Sequence, residues 1–159
     1  MLRSDIIRLE VLKGQDIFDE KVAANLNKRL SVYDELLRQA DETLKKNSCV
    51  ILDATFITQE LRQQAARVAD KYKKTLVILE TSCPQTMSIT HILKRTREKY
   101  ESNALTEQAY LNNKARFEPV NIDEINITYP YLNITHIKVD TSGGETGKLF
   151  ITAIEKRWN

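Results

Sequence analysis

The chain is 159 residues long, with 24 Lys and Arg against 22 Asp and Glu, a formal net charge of +2 and 42% hydrophobic residues. That length fits one domain with a core of its own, and the near balance of charge excludes a chain-wide attraction for duplex nucleic acid or a membrane surface, so any polyanion site is local. No apolar run nears membrane-spanning length, MLRSDIIR lacks the layout of a signal peptide, and Cys49 and Cys83 fit small core residues of a reducing compartment, so a cytoplasmic protein without a membrane partner is expected.

In chain order, the first pattern is RSDIIR, where Asp5 and Arg8 stand three apart and share a helix face. A weak surface ion pair and a base beside a phosphate clamp both fit that spacing. From Asp19 to Asn47, Val22, Leu26, Leu30, Tyr33, Leu37, Ala40 and Leu44 recur at intervals of three and four. The segment closes on Lys45, Lys46 and Asn47, which predicts a long amphipathic helix with a cationic last turn. CVILDA, Cys49 to Ala54, reads as a buried strand. Asp53 at its carboxyl end suits either a carboxylate that holds Mg²⁺ or its water shell, or a cap on the loop that follows.

Thr58 is placed to cap a helix through TQELRQQAARVADKYKK, and TLVILET, Thr75 to Thr81, reads as a second buried strand. MSITHILKRTREKYES then crowds Lys94, Arg95, Arg97 and Lys99 onto a helix. On composition these cations form a solvated face or, with few aromatics nearby to support it, a surface for single-stranded nucleic acid. A helix opening at Thr106 adds Arg116. ITHIKVD, Ile134 to Asp140, is a third strand, and KLFITAIEKRWN is predicted as the last helix. His91 and His136 lack metal-ligand spacing and read as structural.

Between that strand and that helix lies VDTSGGETGKLF, which has the outline of a phosphate-cradling loop. Such a loop needs Gly six places before its Lys and a hydroxyl after it. Here Ser142 stands six before Lys148 and Leu149 follows, so the stretch reads as a plain turn. Strands alternating with helices argue for a single three-layer α/β domain with a mainly parallel sheet. Ligands of such sheets lie beyond the carboxyl ends of the strands, here Asp53 to Thr55, Thr81 to Ser82 and Asp140 to Ser142.

Taken in order, RSDIIR, CVILDATFITQELRQQAARVA, LVILETSCP, ILKRTREKYES, FEP and IKVDTSG resemble the small P-loop kinases of the polynucleotide kinase, gluconate kinase and zeta-toxin kind, the group of AAA-type ATP-binding or predicted kinase domains. The resemblance spans nearly the whole chain, 1–159, as one P-loop NTPase-like kinase domain with a lid at about 84–119. It implies an ATP-dependent phosphotransferase that passes the γ-phosphate to a hydroxyl acceptor, with ATP and Mg²⁺ as cofactors. By the same resemblance Asp5 is the general base and Arg8 steadies a substrate phosphate. Asp53 positions Mg²⁺ or substrate. Arg95 and Arg97 are the lid arginines that neutralise the transferring group, with Arg62 a further substrate contact, and Thr141, Ser142, Gly143 and Gly144 line the adenine end.

The family's first strand, its phosphate loop and its first helix have no counterpart before RSD, so impaired activity is expected of these residues alone. The missing strand would stand between the one ending at Asp53 and the one from Thr75 to Thr81. Those two are therefore expected to pair with each other, or to take a strand from a second copy or another chain. An alternative reading is a non-catalytic remnant without the loop, serving as an interaction or regulatory module. The acceptor, a small molecule or a nucleic-acid end, would be met largely by the long helix, whose Asn25, Lys28, Arg29 and Arg38 name no acceptor class.

Overall fold

A computed structural model describes residues 1–19, 22, 25–94, 105–143 and 148–158. Among them β1 (Leu2–Arg3) runs directly into α1 (Ser4–Val11). There follow α2 (Leu26–Leu44), β2 (Leu52–Asp53), α3 (Gln59–Lys71), β3 (Leu76–Ser82), α4 (Gln85–Leu93) and α5 (Glu107–Arg116). The chain closes with α6 (Ile122–Thr128), β4 (Ile134–Asp140) and β5 (Phe150–Arg157). None of the described helices is long and apolar enough to cross a membrane.

Helix starts follow their capping chemistry. Thr58 accepts from Leu61 N at 3.4 Å and Thr106 from Ala109 N at 3.1 Å, as their positions predict. Asn25 caps the long helix by accepting from Lys28 N at 3.1 Å, so that helix begins at Leu26, later than the expected Asp19. Asn121, which accepts from both Asp123 N and Glu124 N, starts α6, a helix absent from the sequence reading.

The strands form two sheets rather than one. β1 and β2 pair in parallel, Leu2 beside Leu52 and Arg3 beside Asp53. β4 is central to the other sheet, parallel to β3 and antiparallel to β5. β2 and β3 do not pair with each other, which corrects the expectation that they would close the gap between them. β2 also shrinks from the expected six residues to two, because a strand extends only as far as its neighbour supplies partners and β1 is two residues long.

Two cores correspond to the two sheets. Ile7, Leu12, Ile17, Val32, Tyr33, Leu36 and Leu61 bury against Leu2 and Leu52. Ala66, Ala69, Ile122, Ile125, Leu132 and Ile134 cover Leu76 and Ile78. α3 joins the two, giving Leu61 to one and Ala66 and Ala69 to the other.

The last predicted helix is instead β5. Its register against β4 sets Ile154 beside Ile137 and Ile151 beside Val139. With Val77 and Leu79 these residues make an apolar sheet face, on which Val77, Leu79, Ile151, Ile154 and Trp158 are all more than half exposed. The three-stranded sheet is thus covered on one face, by α3 and α6, and the expected third layer is not seen among the described residues.

Candidate functional site

The carboxyl ends of β1 and β2 lie side by side, and the turn from β1 into α1 has no intervening residue, so Asp5 and Arg8 are carried to the same place. Asp5 occupies the first turn of α1, where the helix dipole favours a negative charge. Arg8, one turn on, is only 8% exposed, and its Nε and Nη1 have no hydrogen-bond partner among the described residues. Asp53 lies across the pairing from Arg3, whose Nε is 3.5 Å from Asp53 Oδ2.

The Asp53 carboxylate is 59% exposed, and no group of three metal-ligating side chains exists among the described residues. Mg²⁺ keeps several waters and often takes only one or two carboxylates beside substrate phosphates. Asp53 therefore fits a partner for a hydrated ion and not part of a protein-built cage.

The loop after β2 is braced from α2. Tyr33 accepts from Phe56 N at 2.9 Å, and its hydroxyl lies 3.0 Å from Thr55 Oγ1. Phe56 has φ +39°, a conformation unusual for a bulky residue, and its ring meets Tyr33 edge-on at 5.3 Å. A strained residue held from two directions marks a loop whose shape is fixed before any ligand arrives.

Arg62, expected to contact substrate, is turned inward. At 3% exposure it donates from Nη1 to Gln59 Oε1 and Pro119 O, and from Nη2 to Ile57 O and Glu118 O. Burial lowers its pKa, opposed by Glu118 and Glu80. In this structure its donors are spent on tying the strand-end loop to residues 118–119, beyond α5. Gln59 assists, donating from Nε2 to Asn121 O at 2.6 Å. Sequence reasoning missed Tyr33, Gln59 and Glu118 as parts of this brace; FEP beside VILDATF was its only local trace.

At the other sheet, Thr141 donates from its N and from Oγ1 to Ser82 O, at 2.8 and 2.9 Å. Ser142 N donates to Asp140 Oδ1 at 2.7 Å, which lowers the Asp140 pKa. Gly143 approaches the backbone so closely that a Cβ there would stand 2.2 Å from Lys148 O. Thr141, Ser142 and Gly143 thus sit at the carboxyl ends of β3 and β4, while Asp5, Arg8 and Asp53 sit at those of β1 and β2. Arg95, Arg97, Lys99 and Gly144 lie outside the described residues. His136 is structural, as read: it is 1% exposed, with Nε2 at 2.8 Å from Glu80 Oε2.

A family model described as an AAA domain matches residues 1–120, which carry β1 through α5. No curated protein matches the chain.

Proposed function

The chain belongs to the AAA domain family, whose P-loop NTPase character implies nucleotide binding, and from that premise we propose that it is the acceptor-side part of an ATP-dependent phosphotransferase. The observation that carries this reading is the direct run of β1 into α1, in which Asp5 and Arg8 stand one helical turn apart just after Arg3, the residue that pairs with Asp53. There Asp5 takes the proton of the attacking hydroxyl, Arg8 holds a phosphate oxygen, and Asp53 holds a water of the hydrated cation. Mg²⁺, bound with ATP, supplies charge neutralisation on the phosphates. Thr141 to Gly143 receive the base, and Arg95 and Arg97 close over the phosphates. Arg62, as a positioning residue, acts through the loop it braces.

These 159 residues contain no G-x-x-x-x-G-K-[ST]. The grip on the triphosphate would come from polypeptide beyond them, entering as a strand between β2 and β3. The free cysteines Cys49 and Cys83 suit the reducing, cytoplasmic setting proposed for such an enzyme.

A second reading has its own support in the split sheet and the exposed apolar face of β3 and β5, which suit an interaction or regulatory module that takes a strand from another chain or a second copy. Calorimetry of ATP and Mg²⁺ against the 159-residue chain separates the two. Micromolar binding supports the transferase, and Asp5→Asn should then lower turnover about 10²- to 10⁴-fold while leaving ATP affinity unchanged. No heat at millimolar ATP leaves the transferase reading to a longer polypeptide that supplies the grip on the phosphates, and this chain by itself to the module.

A further inference from the structure

A cleft of about 480 Å³ lies at the amino ends of β3 and β4, the end of that sheet opposite Thr141 to Gly143. Its volume is in the range of small-molecule pockets. The end of α3 contributes Asp70, Lys73 and Lys74 to the lining, and the turn into β4 contributes Tyr131 and Leu132. None of the three charged side chains has a hydrogen bond or an ion pair among the described residues, whereas Lys71 beside them pairs with Asp41. Asp70 and Lys74 have the i, i+4 spacing that favours a helical pair. Lys73 prevents it, because at φ +51° this left-handed residue turns the chain out of α3 before Lys74.

The fold accounts for neither Lys73 nor Tyr131. Ala69 O accepts from Tyr72 N and Lys74 N, and Asp70 O accepts from Lys73 N, so the end of α3 is capped by backbone without help from a lysine side chain. A left-handed residue after a helix is usually Gly, and a lysine there is strained. Tyr131 is 89% exposed and adds nothing to the core, while Leu132 beside it is 2% exposed.

We propose that this cleft is a binding site for an aromatic carboxylate that also bears a hydroxyl or amino donor. Lys73 and Lys74 outnumber Asp70 by one, which matches a single negative charge better than the near-dianion of a phosphomonoester. The exposed Tyr131 ring gives an aromatic ring a face to stack on. Asp70 accepts from the donor of the ligand. The strain at Lys73 is then the cost of bringing two cations to one cleft, as strained residues elsewhere serve ligand sites. None of these residues takes part in the phosphotransferase chemistry, so the site stands or falls apart from that reading.

The test titrates the 159-residue chain, followed by NMR, with 4-hydroxybenzoate, acetate and phenol. 4-Hydroxybenzoate is expected to bind at least tenfold more tightly than acetate, which lacks the ring, or phenol, which lacks the charge. Lys74→Gln should weaken it about tenfold, and Tyr131→Ala about threefold or more. Lys73→Gly divides the two accounts of the lysine. If Lys73 is kept for its charge, glycine weakens binding about tenfold and, by relieving the strain, raises the melting temperature by about 2 °C. The inference is overturned by absence of binding at millimolar 4-hydroxybenzoate, by acetate or phenol matching it, or by binding indifferent to the variants. A lower melting temperature in Lys73→Gly also overturns it, since the lysine would then serve the turn.

Discussion

Arg62 and Arg8 are both buried, at 3% and 8% exposure, and they stand in opposite relations to the fold. Arg62 satisfies the carbonyls of Ile57, Glu118 and Pro119, so Arg62→Met would strand buried acceptors. Each costs about 1–3 kcal/mol when orphaned, and a loss of about 3 kcal/mol is expected in urea unfolding with an unchanged m-value. Arg8→Met removes unmatched donors instead, and should leave stability unchanged or raise it by about 1 kcal/mol while abolishing phosphate binding, the usual opposition of stability and function at a ligand site. Equal destabilisation by the two would refute the assignment of Arg62 to the scaffold and Arg8 to a ligand. Gly143→Ala forces a Cβ against the Lys148 carbonyl, and a cost of about 1–3 kcal/mol is expected by the same measurement. The placement of Asp5 and Arg8 on one helix and of Asp53 at a strand end was legible in the sequence because each sits in a short local pattern. Arg29, Tyr33 and Glu118 were not, since their partners Asn113, Thr55 and Gln59 lie 84, 22 and 59 residues away.

Elements are joined here by carboxylates that must be ionised. Asp41 on α2 meets Lys71 on α3, and Asp123 on α6 meets Arg157 on β5. The hydrogen bond from Lys71 lowers the Asp41 pKa and that from Arg157 lowers the Asp123 pKa, while within α2 the hydrogen bond from Arg38 holds Glu35 at about 2. A carboxylate with a depressed folded pKa contributes stability that is complete above its unfolded value, near 4, and is lost as pH falls through the folded one. The melting temperature should therefore fall from pH 5 to pH 2. Asp41→Asn and Asp123→Asn should lower it at pH 7 but not at pH 2, flattening the profile; a parallel displacement at both pH values would show that these pairs do not couple to folding. The elements themselves were read well where a cap or a long repeat fixed them, as at Thr58, Thr106 and β4. The segment after Lys148 was misread for a physical reason. Phe150, Ile154 and Trp158 recur every four residues, and four is close to the helical period of 3.6 and also a multiple of the strand period of two. Only the backbone of β4, a long-range partner, decides between them.

At the scale of the molecule, the gap between β2 and β3 and the apolar face of β3, β4 and β5 are two aspects of one arrangement. A sheet divided in this way leaves β2 and β3 each with one unpaired edge among the described residues, and the larger sheet with one layer of helices instead of two. Exposed strand edges and contiguous apolar patches are what natural proteins cover, charge or break. Here, among the described residues, the face is interrupted by Lys156, whose Nζ lies 4.6 Å from the centre of the Trp158 ring and so covers part of that ring. The chain on its own should therefore self-associate with concentration and bind an apolar dye at that face. Leu79→Lys with Ile154→Glu sets opposite charges on the two strands that flank β4, both beside Ile137 in the register, so the double variant adds no like-charge pair to either ladder while losing the patch. Sedimentation velocity is expected to show larger species for the parent chain and a monomer for the variant, with unchanged circular dichroism. A parent chain monomeric at every concentration would mean that this face is stable in water as it stands, and the case for a covering strand or partner would lose its thermodynamic basis.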